Sequence, residues 1–287
     1  MIDPMTTEPN DSPEWGTYAP STSVAWLIGL ARHSPLGRGI ARRLIYNAIN
    51  RQHPDPIDTR IWGTRVRLHH RINVSERKSL LRPDLLDPAE LRLIREALTH
   101  PGAVFVDVGS NAGLYALNVA LNADAGSRIV AIEPSPDLIS RLSYNLDRAR
   151  EDGLIDPAVR LDRLNIAVSD TDGTGTLSIA GGEGNRGLVD GEKGIEVPVR
   201  RLSAALSDIS ITTIDAMKID VEGHEDHVLP PYLDDTSPEA WPRLIVLEHL
   251  SRADWSIDVI ADCERRGHRI ERSIRNNTIL RRTASIA

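Results

Sequence analysis

Between residues 101 and 280 two patterns of apolar positions alternate along the chain. Short apolar runs at 104–108, 128–132, within 159–168, from near Ile214 to 221, and at 244–248 read as strands. Segments at 114–122, 137–150 and 257–266 have helical spacing. Two further runs, 269–273 and 277–280, read as an antiparallel pair joined by a turn at Asn276. Strands and helices alternating at these lengths build a mostly parallel sheet with helices on both faces. The expected fold is therefore doubly wound α/β.

The first hundred residues follow other patterns. Residues 1–20 are rich in Pro, Thr, Ser, Asp and Glu and read as a disordered tail. Ser21 or Ser23 can cap a helix running towards Asn50, broken by Pro35 and Gly37. Within 60–72, Ile61, Val66 and Leu68 alternate with Arg60, Arg65 and Arg67, as in strands. Asp87 reads as the cap of a helix through Leu98, with Pro88 at its first position and Glu90 as capping-box partner. The Gly-rich stretch 171–194 reads as a mobile loop between short strands at 176–179 and 196–199. Three regions follow: a tail (1–20), a helical and hairpin extension (21–86), and a main domain (87–287). The extension and the Gly-rich loop are expected to form a lid.

Composition narrows the setting. The 287-residue chain carries a net charge of -7, which excludes a generic nucleic-acid binder. The charge is uneven. Residues 32–82 hold twelve Arg or Lys against three Asp or Glu, a net of +9, which leaves -16 for the rest. A basic lid on an acidic domain is the simpler reading, and an anionic partner is the alternative. Cys263 is the single cysteine, so no internal disulfide forms and a reducing cytoplasm fits. No apolar run approaches the roughly 20 residues that span a bilayer. Neither a membrane nor a nucleic-acid partner is expected, and a homodimer is compatible. His69 and His70, beside arginines, read as solvated.

The chemistry is concentrated after residue 104. Residues 104–113, Val-Phe-Val-Asp-Val-Gly-Ser-Asn-Ala-Gly, run from an apolar strand into Gly109 and Gly113 and then a helix. Glycines there let backbone approach a ligand, and the helix start suits a phosphate or a carboxylate. Glu133 ends the second strand, where a carboxylate can accept both hydroxyls of a ribose. A nicotinamide dinucleotide and S-adenosylmethionine both meet that description. Asn111 stands where the dinucleotide fingerprint places its middle glycine, and Asp107 would repel a pyrophosphate but hold a methionine amino group. The residues favour S-adenosylmethionine.

These segments resemble a known family. Asp-Val-Gly-Ser-Asn-Ala-Gly (107–113), Glu-Pro-Ser-Pro (133–136) with Asn145 after it, Ala-Val-Ser-Asp (167–170) and Lys-Ile-Asp-Val-Glu-Gly-His-Glu (218–225) are similar to FkbM-type methyltransferases. The likeness covers about 88–250. It implies the seven-stranded class I methyltransferase sheet, S-adenosylmethionine as cofactor, and O-methylation of sugars or natural products. Ser110 stands where Ala is usual in that family. Asp107, Gly109, Ser110, Asn111, Gly113, Glu133, Asn165 and Ala167 form the expected cofactor-binding set.

Asp220, Glu222 and His224 follow a strand that would lie beside the first one, near the transferred methyl. His224 is the candidate general base for a hydroxyl, with Glu222 or Asp220 to orient it. N-methylation on the same fold and a nicotinamide-dependent oxidoreductase are the alternatives. Asp220, Glu222, His224, Glu248 and His249 could also be combined into a metal site, although their spacing defines no ligand set and none is expected. The expected acceptor is a small molecule or a glycan.

Overall fold

The computed structural model describes residues 13–178, 187–189 and 194–283. The extension comprises α1 (Thr22–His33), α2 (Gly39–Gln52), β1 (Ile57–Ile61), β2 (Thr64–Leu68) and α3 (Val74–Leu81). Ser21 caps α1 by accepting from the Val24 amide, and a 3-10 turn at Pro35–Gly37 separates α1 from α2. The main domain opens with α4 (Pro88–Ala97), β3 (Val104–Val108), α5 (Leu114–Ala120), β4 (Arg128–Ile132), α6 (Pro136–Glu151) and β5 (Arg160–Leu164). A second sheet follows from β6 (Ala167–Ser169), β7 (Gly173–Ser178), β8 (Leu188–Val189) and β9 (Gly194–Arg201). The chain then returns through α7 (Leu202–Asp208), β10 (Ala216–Ile219), α8 (Leu229–Asp235), β11 (Leu244–Glu248), α9 (Val259–Arg265), β12 (His268–Ile274) and β13 (Asn277–Arg282).

The principal sheet has seven strands in the order β12-β13-β11-β10-β3-β4-β5. Only β13 runs against its neighbours. All residues of β3, β10 and β11 are buried, as expected of central strands covered by helices on both faces. After β3 the chain moves outward to β4 and β5, then returns to the other side of β3 as β10. Connections therefore leave β3 and β10 in opposite directions, and a crevice opens at their carboxyl ends.

One apolar core lies on each face of the sheet. The first joins α4, α5 and α6 to the extension: Ile57, Leu68 and Leu80 are fully buried in the same cluster as Leu117, Leu142 and Leu146. The second packs β-strand residues such as Met217 and Ile245 against Leu206, Leu229 and Val259. The extension is thus built into the first core. Asn145 of α6 fastens it: its Oδ1 accepts from the Arg67 amide at 2.8 Å and its Nδ2 donates to the Arg67 carbonyl at 3.3 Å.

Three expectations need correction. Residues 13–20 are tied down: Trp15 donates to the Val66 carbonyl, and Asp58 accepts from the Gly16 and Tyr18 amides. Residues 1–12 of the expected tail lie outside the described residues. Asp87 does not cap α4. It adopts a left-handed conformation, and its carboxylate accepts instead from the Tyr115 hydroxyl, while Glu90 accepts from Asn277. His70 is fully buried, against the Tyr46 ring and 3.4 Å from Asp55, and burial pushes its pKa down to about 4. The segment 159–168 holds the end of the main sheet and the start of the small one, separated at 165–166. The expected mobile loop falls mainly on 179–186 and 190–193, outside the described residues. Among the described residues no helix is long and apolar enough to cross a membrane.

Candidate active site

The crevice at the ends of β3, β4 and β10 is a cleft open to solvent. Gly109, Asn111, Glu133, Asp220, Glu222 and His224 line it, with an apolar wall that includes Ile132, Leu138, Ile166, Ala167, Leu177 and Leu188.

Backbone crossing fixes the floor. Gly109 has φ +74°, and a Cβ there would stand 1.8 Å from the Asp220 carbonyl oxygen. Only glycine allows β3 and β10 to approach this closely. Gly113 does not reach the cleft; a Cβ there would strike Leu142, so it sets how α5 meets α6. Ser110 is also structural: its hydroxyl donates to the Asp107 and Ile132 carbonyls. Asn165 donates its Nδ2 to the Glu133 and Pro134 carbonyls, steadying the turn that carries Glu133. Ala167 lies in the wall itself.

Two carboxylates are held under tension. Glu133 accepts from the Asn111 amide at 2.8 Å and from the Ser135 amide at 2.9 Å. Burial nevertheless pushes its pKa up to about 7. Asp107 is completely buried behind the cleft lining, and neither carboxylate oxygen accepts a well-formed hydrogen bond. Burial, opposed by Lys218, raises its pKa to about 6. Lys218 is buried as well and donates to Asp220 at 3.0 Å, with its Nζ 5.0 Å from the centre of the Tyr115 ring. Burial works against its charge, but Asp220 and Asp107 outweigh that effect and raise its pKa. The trio of Lys218, Asp107 and Asp220 carries one more negative than positive charge when ionised.

A second acidic layer stands at the rim. Burial, then Asp220 and Glu248, push Glu222 up to about 7. Burial and Asp220 do the same to Glu248. Glu222 sits at φ +56°, in a turn clamped by the fully buried Glu225. One Glu225 oxygen accepts from the Val221 and Gly223 amides, and the other accepts from the Trp255 indole.

The structure brings His224 to the cleft but gives it a different orienting partner from the expected Glu222 or Asp220. Its Nε2 lies 2.9 Å from the Ser169 hydroxyl, and its ring stacks on His227 at 4.4 Å. Ser169 also donates to Asp170, which pairs with His227 at 3.1 Å. Burial, reinforced by His227, lowers the His224 pKa. The candidate metal set does not converge. His249 turns to Thr278 and the Arg275 carbonyl, and among the described residues no group of three or more His, Cys, Asp or Glu could hold a metal.

Four contributors were not singled out from the sequence. Ser169, Lys218 and Glu225 stand inside the quoted motifs 167–170 and 218–225, where their residue types carried a signal. Asn73 lies in the extension and had its own signal, a cap followed three residues later by Glu76. It accepts from the Glu76 amide and donates to the Asn111 side chain at 2.6 Å, linking the extension to the glycine loop.

Comparison with known proteins places the sequence in a family. Residues 107–270 match the Methyltransferase FkbM domain. The chain is 29% identical over 198 residues to the 31-O-demethyl-FK506 methyltransferase FkbM of Streptomyces tacrolimicus, covering 60% of this chain and 74% of that protein. It is 30% identical over 227 residues to the AMB antimetabolite synthetase AmbE of Pseudomonas aeruginosa, covering 64% of this chain. That match spans about a tenth of the synthetase, 10% of its length. Among solved structures, magnesium protoporphyrin IX methyltransferase from Synechocystis with bound S-adenosylmethionine aligns at a TM-score of 0.42 and 12% identity, over 74% of this chain and 86% of that one. The chain belongs to the FkbM family of S-adenosylmethionine-dependent methyltransferases.

Proposed function

We propose that this enzyme methylates a hydroxyl of a sugar or natural product. The observation that carries the reading is His224, a half-buried imidazole in the cleft wall with a lowered pKa and a hydrogen bond to Ser169. S-adenosylmethionine supplies a methyl group on a sulfonium, already activated for in-line displacement. The protein has to bind, orient and accept the hydroxyl proton. A neutral imidazole does the last, whereas a neutral amine acceptor needs little help from a base. Ser169 has one proton. When it goes to Asp170, the Ser169 oxygen accepts the Nε2 proton of His224, and Nδ1 becomes the basic nitrogen. Asp170 and the partly exposed His227 then extend the polar chain towards solvent.

The cleft suits the cofactor by charge. A methionine ammonium beside the cleft-lining Asp220 supplies the cation that Lys218, Asp107 and Asp220 lack, and it would also offset the charge of Asp107 buried behind the lining. Glu133 keeps a lone pair on each oxygen for the ribose hydroxyls, and the apolar wall suits a flat adenine. A pyrophosphate would instead face Glu133, Asp220 and Glu222, with Asp107 behind them, which counts against a dinucleotide. The relative named as a 31-O-demethyl-FK506 methyltransferase has an O-demethyl acceptor in its name, which supports an oxygen acceptor here.

The test offers the enzyme methyl-labelled cofactor with a panel of sugars and polyhydroxylated natural products. The chemical shift of the labelled methyl separates an ether from an amine. An ether product whose turnover drops about a hundredfold or more in His224→Ala, with cofactor affinity retained, is expected. A methylamine product, or turnover unchanged in His224→Ala, contradicts the reading.

A further inference from the structure

We propose that the outward face of α2 is a docking surface for an anionic membrane. Ile40 is 81% exposed and Leu44, one turn later, 64%. At helical spacing, Ile40, Arg43, Leu44, Asn47 and Arg51 share one stripe, opposite the buried Ile45 and Ile49. Leu36, in the turn before α2, is also exposed. Trp26 of α1 is 63% exposed and lies one turn after Ser23, whose hydroxyl donates to Gln52 at the end of α2. Ile40 and Leu44, adjacent on one helix face and left in water, mark an interaction surface, with Trp26 exposed near the other end of the helix pair.

The charge around them is of one sign. Residues 32–54 contain five Arg and no Asp or Glu. Arg32 is used internally, donating to the Leu80 and Arg60 carbonyls. The side chains of Arg38, Arg42, Arg43 and Arg51 are exposed and make no hydrogen bond or ion pair among the described residues. Asp84 lies near Arg38 but is held by Arg82 at 2.5 Å.

The combination selects the partner. A second copy would set these arginines against their own kind in a two-fold contact. A nucleic acid would use the arginines but leave Ile40 and Leu44 without apolar contact. An anionic bilayer takes both, with aliphatic side chains entering the boundary of the acyl chains and guanidinium groups among the headgroups. The -16 carried outside 32–82 would turn the rest of the molecule away from such a surface. The absence of a spanning segment, which led us to expect no membrane partner, does not bear on a protein that lies on the surface.

The experiment is co-sedimentation of the full chain with vesicles of phosphatidylcholine alone or mixed with phosphatidylglycerol, at low and high salt. The chain is expected to sediment with the mixed vesicles at low salt, and neither with neutral vesicles nor at high salt. Arg43→Gln and Arg51→Gln should each weaken binding about fivefold. The Ile40→Ser, Leu44→Ser double variant should weaken it about tenfold or more. All these positions are exposed, so unchanged circular dichroism and melting temperature will show that the fold is intact. Failure to bind mixed vesicles overturns the proposal. So does binding that the apolar variant leaves unchanged, or a dimer in light scattering that the apolar variant dissolves.

Discussion

The Asn145 side chain pairs with both backbone polar groups of Arg67, as a neighbouring strand would, and so ties the hairpin of the extension to α6. Asn145 is 1% exposed, and water cannot replace it at low cost. Asn145→Ala leaves a buried amide and a buried carbonyl without partners. The expected loss is about 2–4 kcal/mol, measured by urea unfolding. A change within the error of that measurement would show that the hairpin is held by other contacts.

Gly109 offers a second stability test. Its left-handed backbone and the 1.8 Å approach of the Asp220 carbonyl leave no room for a methyl group. Gly109→Ala should force β3 and β10 apart, at about 3 kcal/mol or more. Cofactor binding should be lost with it, because the same crossing forms the cleft floor. A normal melting temperature in this variant would mean that the strand ends separate freely.

Removal of residues 1–80 tests the lid expectation. Ile57, Ile61, Val66, Leu68 and Leu80 would be taken from the first core, which would open beside Leu142 and Leu146. Each such side chain contributes about 1.5–3 kcal/mol by burial. The truncated chain should therefore lack a cooperative thermal transition. A truncated protein that melts cooperatively and still binds S-adenosylmethionine would restore the picture of a detachable lid.

The raised carboxylate pKa values make a signed prediction. Asp107 titrates near 6 and Glu133 near 7 in the folded chain, above their ordinary values of 3.8 and 4.5. Their ionisation therefore opposes folding. Stability is full below the ordinary carboxylate range and declines as pH rises through 6 to about 7. The cofactor favours the ionised forms, Asp107 as a counter-charge to its ammonium and Glu133 as an acceptor for its ribose hydroxyls, so affinity should rise over the same window. Each carboxylate that must lose a proton contributes up to about tenfold per pH unit. Calorimetric affinities that stay flat across this window would exclude both groups as partners of the cofactor.

Much of this was legible in the sequence, for physical reasons. The parallel strands are continuous apolar runs, and Gly109 with Asp107 and Glu133 marks the crevice before any coordinates exist. Gly113, Ser110 and Asn165 of the expected cofactor set shape the turns around the cleft, a role that local spacing cannot separate from contact with a ligand. Asn145 came in with the family resemblance, but its partner Arg67 lies 78 positions away, beyond any periodicity. The Ser169 partnership of His224 was hidden for the same reason, since 55 residues and a second sheet intervene. Asp87 and Glu90 had the letters of a capping box, and tertiary partners Tyr115 and Asn277 claimed both side chains.

The most direct measurement is a calorimetric titration of S-adenosylmethionine into the wild type, Asp107→Asn and Glu133→Ala, with thermal unfolding of each. Asp107→Asn removes a buried charge and should leave the melting temperature unchanged or higher. The wild type should bind, and each variant should bind at least about tenfold more weakly, the scale of one lost counter-charge for Asp107→Asn and of one lost charge-assisted hydrogen bond for Glu133→Ala. Wild-type affinity in both folded variants would contradict the placement of the cofactor in this cleft.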